Sequence, residues 1–306
     1  MPVADRHPTL LLKAETEALE ALALPATALG RLRVPERADA APGLLRRGRR
    51  GTVVVTASAL EDPGTAGLLA SLSLSGVRVV RPRDWCERVL RRVSLDDVDE
   101  PWFLFDRPLR ARRLSAAVKR VTDILAGVLG VLLLALLVPV IALLVRLDDG
   151  GPVFFRQERV GRGGRPFLIW KFRTMRVDAE ADGPVWATPD DRRTTRLGRV
   201  LRRARLDEVP QFLNVLKGEM ALVGPRPERP EFIRMLERAV PFYDRRHLMR
   251  PGITGWATVR FGYGDSVGDK WRSHEYDLYY LKHRSPWLDL EILVRTAVVM
   301  LLRKGQ

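Results

Sequence analysis

Between Asp123 and Arg146 no residue carries a charge: Ile124 to Val145 is a run of Leu, Val, Ala, Ile and Gly broken only by Pro139. A hydrocarbon core about 30 Å thick takes roughly 20 residues of helix, so this run is long enough to enter a membrane. It is too uniformly apolar for a surface helix, and no equally apolar second run exists that could bury it in a water-soluble core. Lys119 and Arg120 flank one end and Arg146 the other. Pro139 removes a hydrogen-bond donor inside the run. Basic flanks and an internal proline fit a kinked helix that enters and leaves by the same face; a straight span satisfies the composition as well.

The remainder of the chain divides around this run. Residues 1–50 end in Pro42-Gly43-Leu44-Leu45-Arg46-Arg47-Gly48-Arg49-Arg50, which reads as a flexible basic lead-in. Residues 51–106 read as a small Rossmann-like accessory domain. The β-branched run Thr52 to Thr56, a helix-compatible stretch over 64–75, the short run Val77 to Val80 and a helix at about 83–92 suggest β-α-β-α. The turn after its first strand, Ala57-Ser58-Ala59-Leu60-Glu61-Asp62-Pro63-Gly64, lacks the glycine fingerprint of a dinucleotide site. The membrane segment is assigned to 116–147 and a polar, glycine- and proline-punctuated α/β domain to 148–306. The single cysteine, Cys86, excludes an intrachain disulfide framework and a cysteine-based zinc site. The first thirty residues are interrupted by Glu15, Glu17 and Glu20 and read as no secretory signal. A formal charge of +15 requires an anionic partner without choosing among nucleic acid, lipid and phosphorylated substrate.

The chemistry concentrates in Arg196 to Gly218. Seven arginines lie between Arg192 and Arg205, with Arg196, Arg199 and Arg203 on one helical face, and the run leads straight into Asp207 and Glu208. An arginine face alone is a solvated surface, and an acidic pair at a helix start is ordinarily a cap. Two further groups change that weighting. Lys171-Phe172-Arg173-Thr174-Met175 places two cations after an apolar strand, and Val223-Gly224-Pro225-Arg226-Pro227-Glu228 is a rigid turn that would aim Arg226 in one direction, suited to a phosphate. Arg250-Pro251-Gly252-Ile253-Thr254-Gly255-Trp256 is another such turn. Fixed cations around an acidic pair are what phosphoryl transfer from a diphosphate requires, with a magnesium ion offsetting the repulsion between carboxylate and phosphate. Asp207, at a helix start among arginines, is expected to stay ionised and to act as a nucleophile rather than a proton acceptor.

From Lys119 to about Leu302 the chain resembles the bacterial sugar transferases, the monotopic phosphoglycosyl transferase superfamily. The motifs are Lys119-Arg120 with Asp123, Gly151-Pro152-Val153-Phe154-Phe155-Arg156-Gln157-Glu158-Arg159-Val160-Gly161, the Lys171 to Met175 run, Leu206-Asp207-Glu208-Val209-Pro210-Gln211, Gly224-Pro225-Arg226-Pro227 and Pro251-Gly252-Ile253-Thr254-Gly255-Trp256. The resemblance implies a monotopic α/β membrane protein with a re-entrant helix broken at Pro139. It implies transfer of a sugar 1-phosphate from a nucleotide diphosphate sugar, usually a UDP-sugar, to undecaprenyl or another polyprenyl phosphate. Asp207 would be the nucleophile, Glu208 its partner through Mg2+ or proton handling, Arg226 a phosphate ligand and Arg202 a supporting cation; Lys171 and Arg173 complete the candidate phosphate-binding set, and Asp207 and Glu208 the candidate metal ligands. Partners would be membrane lipids and the two substrates, without nucleic acid and with a homo-oligomer left open, at the cytoplasmic face of the inner membrane. The multi-helix bundle usual upstream in exopolysaccharide members is not expected. The helix break is often Ser-Pro, here Val138-Pro139, and Thr258 stands where Gln is common. The rivals are a membrane-anchored nucleic-acid-binding protein, which leaves the acidic pair unexplained, and a catalytically silent scaffold of a polysaccharide assembly complex.

Overall fold

The computed structural model describes residues 9–12, 32–33, 52–55, 63–95, 98, 102–103, 113–181, 183, 186, 191–262, 264 and 266–301. The chain separates into two compact units, Met1–Val98 and Asp99–Gln306.

The first unit holds a four-stranded parallel sheet in the order β2-β1-β3-β4, from strands Thr9–Leu12 (β1), Leu32–Arg33 (β2), Thr52–Val55 (β3) and Arg78–Val80 (β4). Parallel neighbours need a crossover, and helix Pro63–Leu74 (α1) supplies the one between β3 and β4. It buries Leu69 and Leu72 against Val53 and Val55. Helix Pro82–Leu90 (α2) follows, with proline at its start. Two details differ from the sequence reading. β1 and β2 come from the segment read as a flexible lead-in and join the sheet on β3; the rest of residues 1–50 lies outside the described residues. Trp102 and Phe103, placed by sequence in the accessory domain, belong to the second unit, where Phe103 packs 5.1 Å from the Phe242 ring.

The second unit is built on helix Arg113–Asp148 (α3), 36 residues that stay helical through Pro139. Pro139, which has no amide hydrogen, donates no bond to the helical ladder at that point. One stripe of α3 faces protein. Asp123 Oδ1 accepts from the Leu222 amide at 2.9 Å, Leu216 and Phe212 crowd onto Gly127 and Gly130, and Leu134, Ile141 and Val145 pack with Phe172, Leu201 and Val209. Spacings of three, four and seven residues put these positions on one side of a helix. A side chain at Gly130 would start 2.1 Å from the Phe212 ring, so glycine permits this approach. Lys119 and Arg120, which flank the apolar run, have protein partners: Lys119 pairs with Asp289 at 2.9 Å, and Arg120 donates to the Val215 and Leu216 carbonyls, both at 2.9 Å. The opposite face of α3 is uncovered: Leu125, Leu129, Leu132, Leu136, Leu143 and Leu147 are each more than half exposed.

Strands Phe154–Val160 (β5) and Pro166–Phe172 (β6) form an antiparallel hairpin. Helix Arg196–Arg203 (α4), capped by Thr195, lies on it; Gly198 brings the helix so close to the Thr174 carbonyl that no side chain would fit. The chain then makes a 3-10 turn, Leu206–Gln211, and helix Phe212–Lys217 (α5), closed by Gly218 in the left-handed conformation. Strand Ala221–Val223 (β7) pairs in parallel with Gly252–Thr254 (β8) across helix Pro230–Ala239 (α6) and the 3-10 segment Tyr243–Leu248. Helices Trp256–Arg260 (α7), Val267–His283 (α8) and Pro286–Leu301 (α9) complete the unit. Trp287, Leu290, Val294 and Val298 of α9 add to the exposed apolar surface.

Candidate active site

Asp207 and Glu208 precede the short helix α5 that ends at Gly218, as the sequence suggests, without capping it. They sit inside the 3-10 turn, entered from Arg205 in the left-handed conformation (φ 57°). Both are buried. Helix α5, which follows the turn, is fastened to β6 by Asn214, whose Oδ1 accepts from the Trp170 amide at 3.1 Å and whose Nδ2 donates to the Leu168 carbonyl at 2.7 Å.

The two carboxylates differ sharply. Glu208 Oε1 accepts from Lys171 Nζ at 3.2 Å and from Arg226 Nη1 at 3.3 Å, while Arg205 Nη1 lies 3.9 Å from Oε2. Burial opposes charge on Glu208, but these three cations outweigh it and bring its carboxyl down to about 2. Asp207 has no such cluster. Burial, followed by the charge of Glu208, raises its carboxyl above the ordinary range, against weaker pulls from Lys171, Arg202 and Arg205. Its Oδ1 meets no hydrogen-bond partner among the described residues. The cations expected around Asp207 thus converge on Glu208, and burial pushes the Asp207 carboxyl up.

The other predicted site residues divide. Lys171 comes from the end of β6, where burial pushes its ammonium down. Arg226 is presented by a turn whose backbone is pinned: Gly224 N donates to the Thr254 carbonyl at 2.9 Å, Gly252 N to the Pro225 carbonyl at 2.9 Å, and the buried Arg246 to the Arg226 carbonyl at 3.0 Å. The two proline-glycine turns are thereby one structure. A side chain on Gly224, Gly252 or Gly255 would begin 2.1–2.3 Å from the facing backbone. Arg202 is steered by threonines, with Nε donating to Thr174 Oγ1 at 2.9 Å and Nη1 to Thr194 Oγ1 at 3.1 Å. Arg173 is not brought to the pair. Its guanidinium is held by Asp149 and by the Pro152 carbonyl at 2.7 Å, fixing the end of α3 to β6. Arg196, Arg199 and Arg203 are exposed. Arg205 was submerged in the arginine run; its place two residues before Asp207 was the available signal. The ion pair of Arg246 with Asp277, at 2.9 Å, carried none.

For magnesium, no group of three His, Cys, Asp or Glu side chains gathers among the described residues. Asp207 Oδ1 and Glu208 Oε2 are nonetheless hard oxygen donors without a close hydrogen bond, and the ion commonly takes one or two carboxylates from a protein when phosphates complete its shell. The donor set fits an ion shared with a diphosphate. The site opens into a cavity of about 1170 Å³. Leu133 of α3 and Leu293, Val299 and Met300 of α9 line part of it, and Arg226, Glu228 and Lys270 another part.

A buried carboxylate pair with its charge unevenly compensated thus borders a cavity walled partly by apolar side chains of α3 and α9. Residues 114–303 match the bacterial sugar transferase family, and the chain belongs to that family. It is 41% identical over 250 residues to UDP-N-acetylgalactosamine-undecaprenyl-phosphate N-acetylgalactosaminephosphotransferase of Aeromonas hydrophila, covering 80% of this chain and 58% of that protein. It is 40% identical over 195 residues to UDP-glucose:undecaprenyl-phosphate glucose-1-phosphate transferase of Escherichia coli (strain K12), covering 63% of this chain and 42% of the relative. With undecaprenyl-phosphate glucose phosphotransferase of Komagataeibacter xylinus the identity is 43% over 184 residues, 58% of this chain and 35% of that one. The chain thus spans about half or less of the length of these relatives.

Proposed function

We propose that the protein transfers a sugar 1-phosphate from a nucleotide diphosphate sugar, in particular a UDP-sugar, to undecaprenyl or another polyprenyl phosphate, initiating an exopolysaccharide or glycoconjugate. The observation that carries this reading is the unbonded Oδ1 of buried Asp207 beside a Glu208 already neutralised by Lys171, Arg226 and Arg205. Asp207 Oδ1 attacks the sugar-bearing phosphorus, the bond to the bridging oxygen breaks, and nucleoside monophosphate leaves. An oxygen of the lipid phosphate then attacks the same phosphorus and releases the Asp207 carboxylate. Lys171, Arg226 and Arg202 hold the phosphoryl oxygens whose charge is redistributed in both steps. Magnesium, held by Asp207 and Glu208 with the diphosphate, would neutralise phosphate charge and so ease the approach of an anionic nucleophile.

Topology follows the same reading. The two ends of α3 are tied to one polar body, by Lys119 and Arg120 at the start and by Asp148, whose carboxylate accepts from the Leu197 amide at 3.4 Å, at the end. A helix spanning about 30 Å of hydrocarbon would leave its ends on opposite faces. The exposed leucines of α3 and the apolar face of α9 therefore enter the membrane from the cytoplasmic side, monotopically, and both ends remain on that side.

The test is to mix protein and UDP-sugar without lipid acceptor. Nucleoside monophosphate should appear in at most one equivalent per site, with a sugar-phosphate mass on the peptide containing Asp207; Asp207→Asn should abolish both. Release that strictly requires polyprenyl phosphate, with no adduct after quenching, would overturn the covalent step.

A further inference from the structure

Arg226 and Glu228, two residues apart on one turn, connect the carboxylate pair to a second group of side chains on the same cavity wall. Glu228 accepts from Lys270 Nζ at 2.6 Å, and that ammonium lies 5.6 Å from the Trp186 ring. The Trp186 and Phe232 rings meet with centroids 4.7 Å apart, and the Arg229 guanidinium, held by Glu180 at 2.7 Å, lies 5.5 Å from Phe232. All of these residues border the cavity. The phosphoryl chemistry uses none of the aromatic pair. Both rings, moreover, belong to segments distinct from α3 and α9, the helices whose apolar side chains line the cavity for a lipid. The Trp186 indole N–H is buried and meets no acceptor among the described residues, although a buried donor is ordinarily bonded.

We propose that Trp186 and Phe232 form the subsite that receives the nucleobase of the donor, with Lys270 and Arg229 flanking it. This rests on the transferase reading and adds to it the place of the base. The two rings are tilted 43° to one another, and aromatic rings bordered by cations are the usual receiver of an unpaired base, because every base offers a π face. A pyrimidine such as uracil also carries ring carbonyl oxygens that accept hydrogen bonds, which suits an indole N–H and an ammonium. The diphosphate would then run from this corner past Arg226 to Asp207. The base is thus held by α6, α8 and Trp186, while the lipid approaches from α3 and α9.

The 306-residue protein in lipid nanodiscs is titrated with UDP and, separately, with pyrophosphate, which lacks the nucleoside. Trp186→Ala should weaken UDP on the order of tenfold, the loss of one base stack, and leave pyrophosphate within about twofold. Equal weakening of both ligands, or no change in either, overturns the subsite. A measurement on unaltered protein guards against misfolding of the variant. Irradiation with a UDP analogue bearing iodouracil should join the base to the peptide containing Trp186 or Phe232, and attachment only to the α3 or α9 wall overturns the proposal. Wild-type protein that binds neither UDP nor pyrophosphate refutes the transferase reading itself, an outcome separate from failure of the variant alone.

Discussion

Replacing Lys171 with methionine tests the division of labour between the two carboxylates. The carboxyl of Glu208 is brought from an ordinary 4.5 to about 2. At about 1.4 kcal/mol per pH unit, the cations outweigh burial by roughly 3 kcal/mol. Lys171 is the foremost of them, so its removal should forfeit about 1–2 kcal/mol of folding stability. Methionine also relieves the burial of the ammonium, and Arg226 and Arg205 remain. The loss therefore stays below the 3–5 kcal/mol of an isolated broken pair. For a unit of this size that is a fall in melting temperature of roughly 2–8 °C. The sign with pH is fixed: a depressed carboxyl stabilises the fold fully above the unfolded value near 4.5, and that contribution fades as pH falls toward 2. The gap between wild type and Lys171→Met, followed by thermal unfolding in detergent, should be full at pH 7 and narrower at pH 3.5. Turnover, read as nucleoside monophosphate release, should drop about tenfold or more, the worth of one charge-assisted contact. Equal melting at pH 7, or a gap that widens on acidification, would refute the assignment of Lys171 as the counter-ion of Glu208.

Arg226→Lys keeps the charge and loses the planar fork; steady-state kinetics should show a loss of about tenfold in turnover, and wild-type rates would remove Arg226 from the site. Gly130→Ala gains roughly 1 kcal/mol of helix propensity but drives a methyl into the Phe212 ring, at a cost of about 1–3 kcal/mol. The variant should melt below wild type, and Phe212→Leu in the same chain should recover part of the loss. Cysteines at Ala116 and Arg162, in a Cys86→Ser background, should be labelled from the same side of sealed vesicles. Labelling from opposite sides would make α3 a span.

The apolar run and the acidic pair were legible because each is contiguous in the chain. What neighbours do to them was not. Gly127 and Gly130 look like small members of an apolar run until Leu216 and Phe212 are seen resting on them. Lys119 and Arg120 have the pattern of headgroup flanks, yet their acceptors are an aspartate and two helix-end carbonyls far along the chain. Lys171 and Arg173 look equivalent in sequence, but β6 ends at Phe172, so Arg173 leaves the strand alternation and turns to Asp149. The opposite shifts of the Asp207 and Glu208 carboxyls depend on where β6, the 3-10 turn and the Arg226 turn meet in space.

The bond from the Leu222 amide to Asp123 has a practical consequence for anyone wishing to solubilise the protein. Leu222 lies in β7, and β7 runs directly into the turn that presents Arg226. Trimming away residues up to Asp148 would take with it the acceptor for that amide, the seat of Phe212 and the cover over Phe172, Leu201 and Val209. A water-soluble version is therefore better sought by replacing the outward leucines of α3 with polar residues than by deleting the helix, since the inward stripe of the same helix is part of the floor on which the turn presenting Arg226 stands.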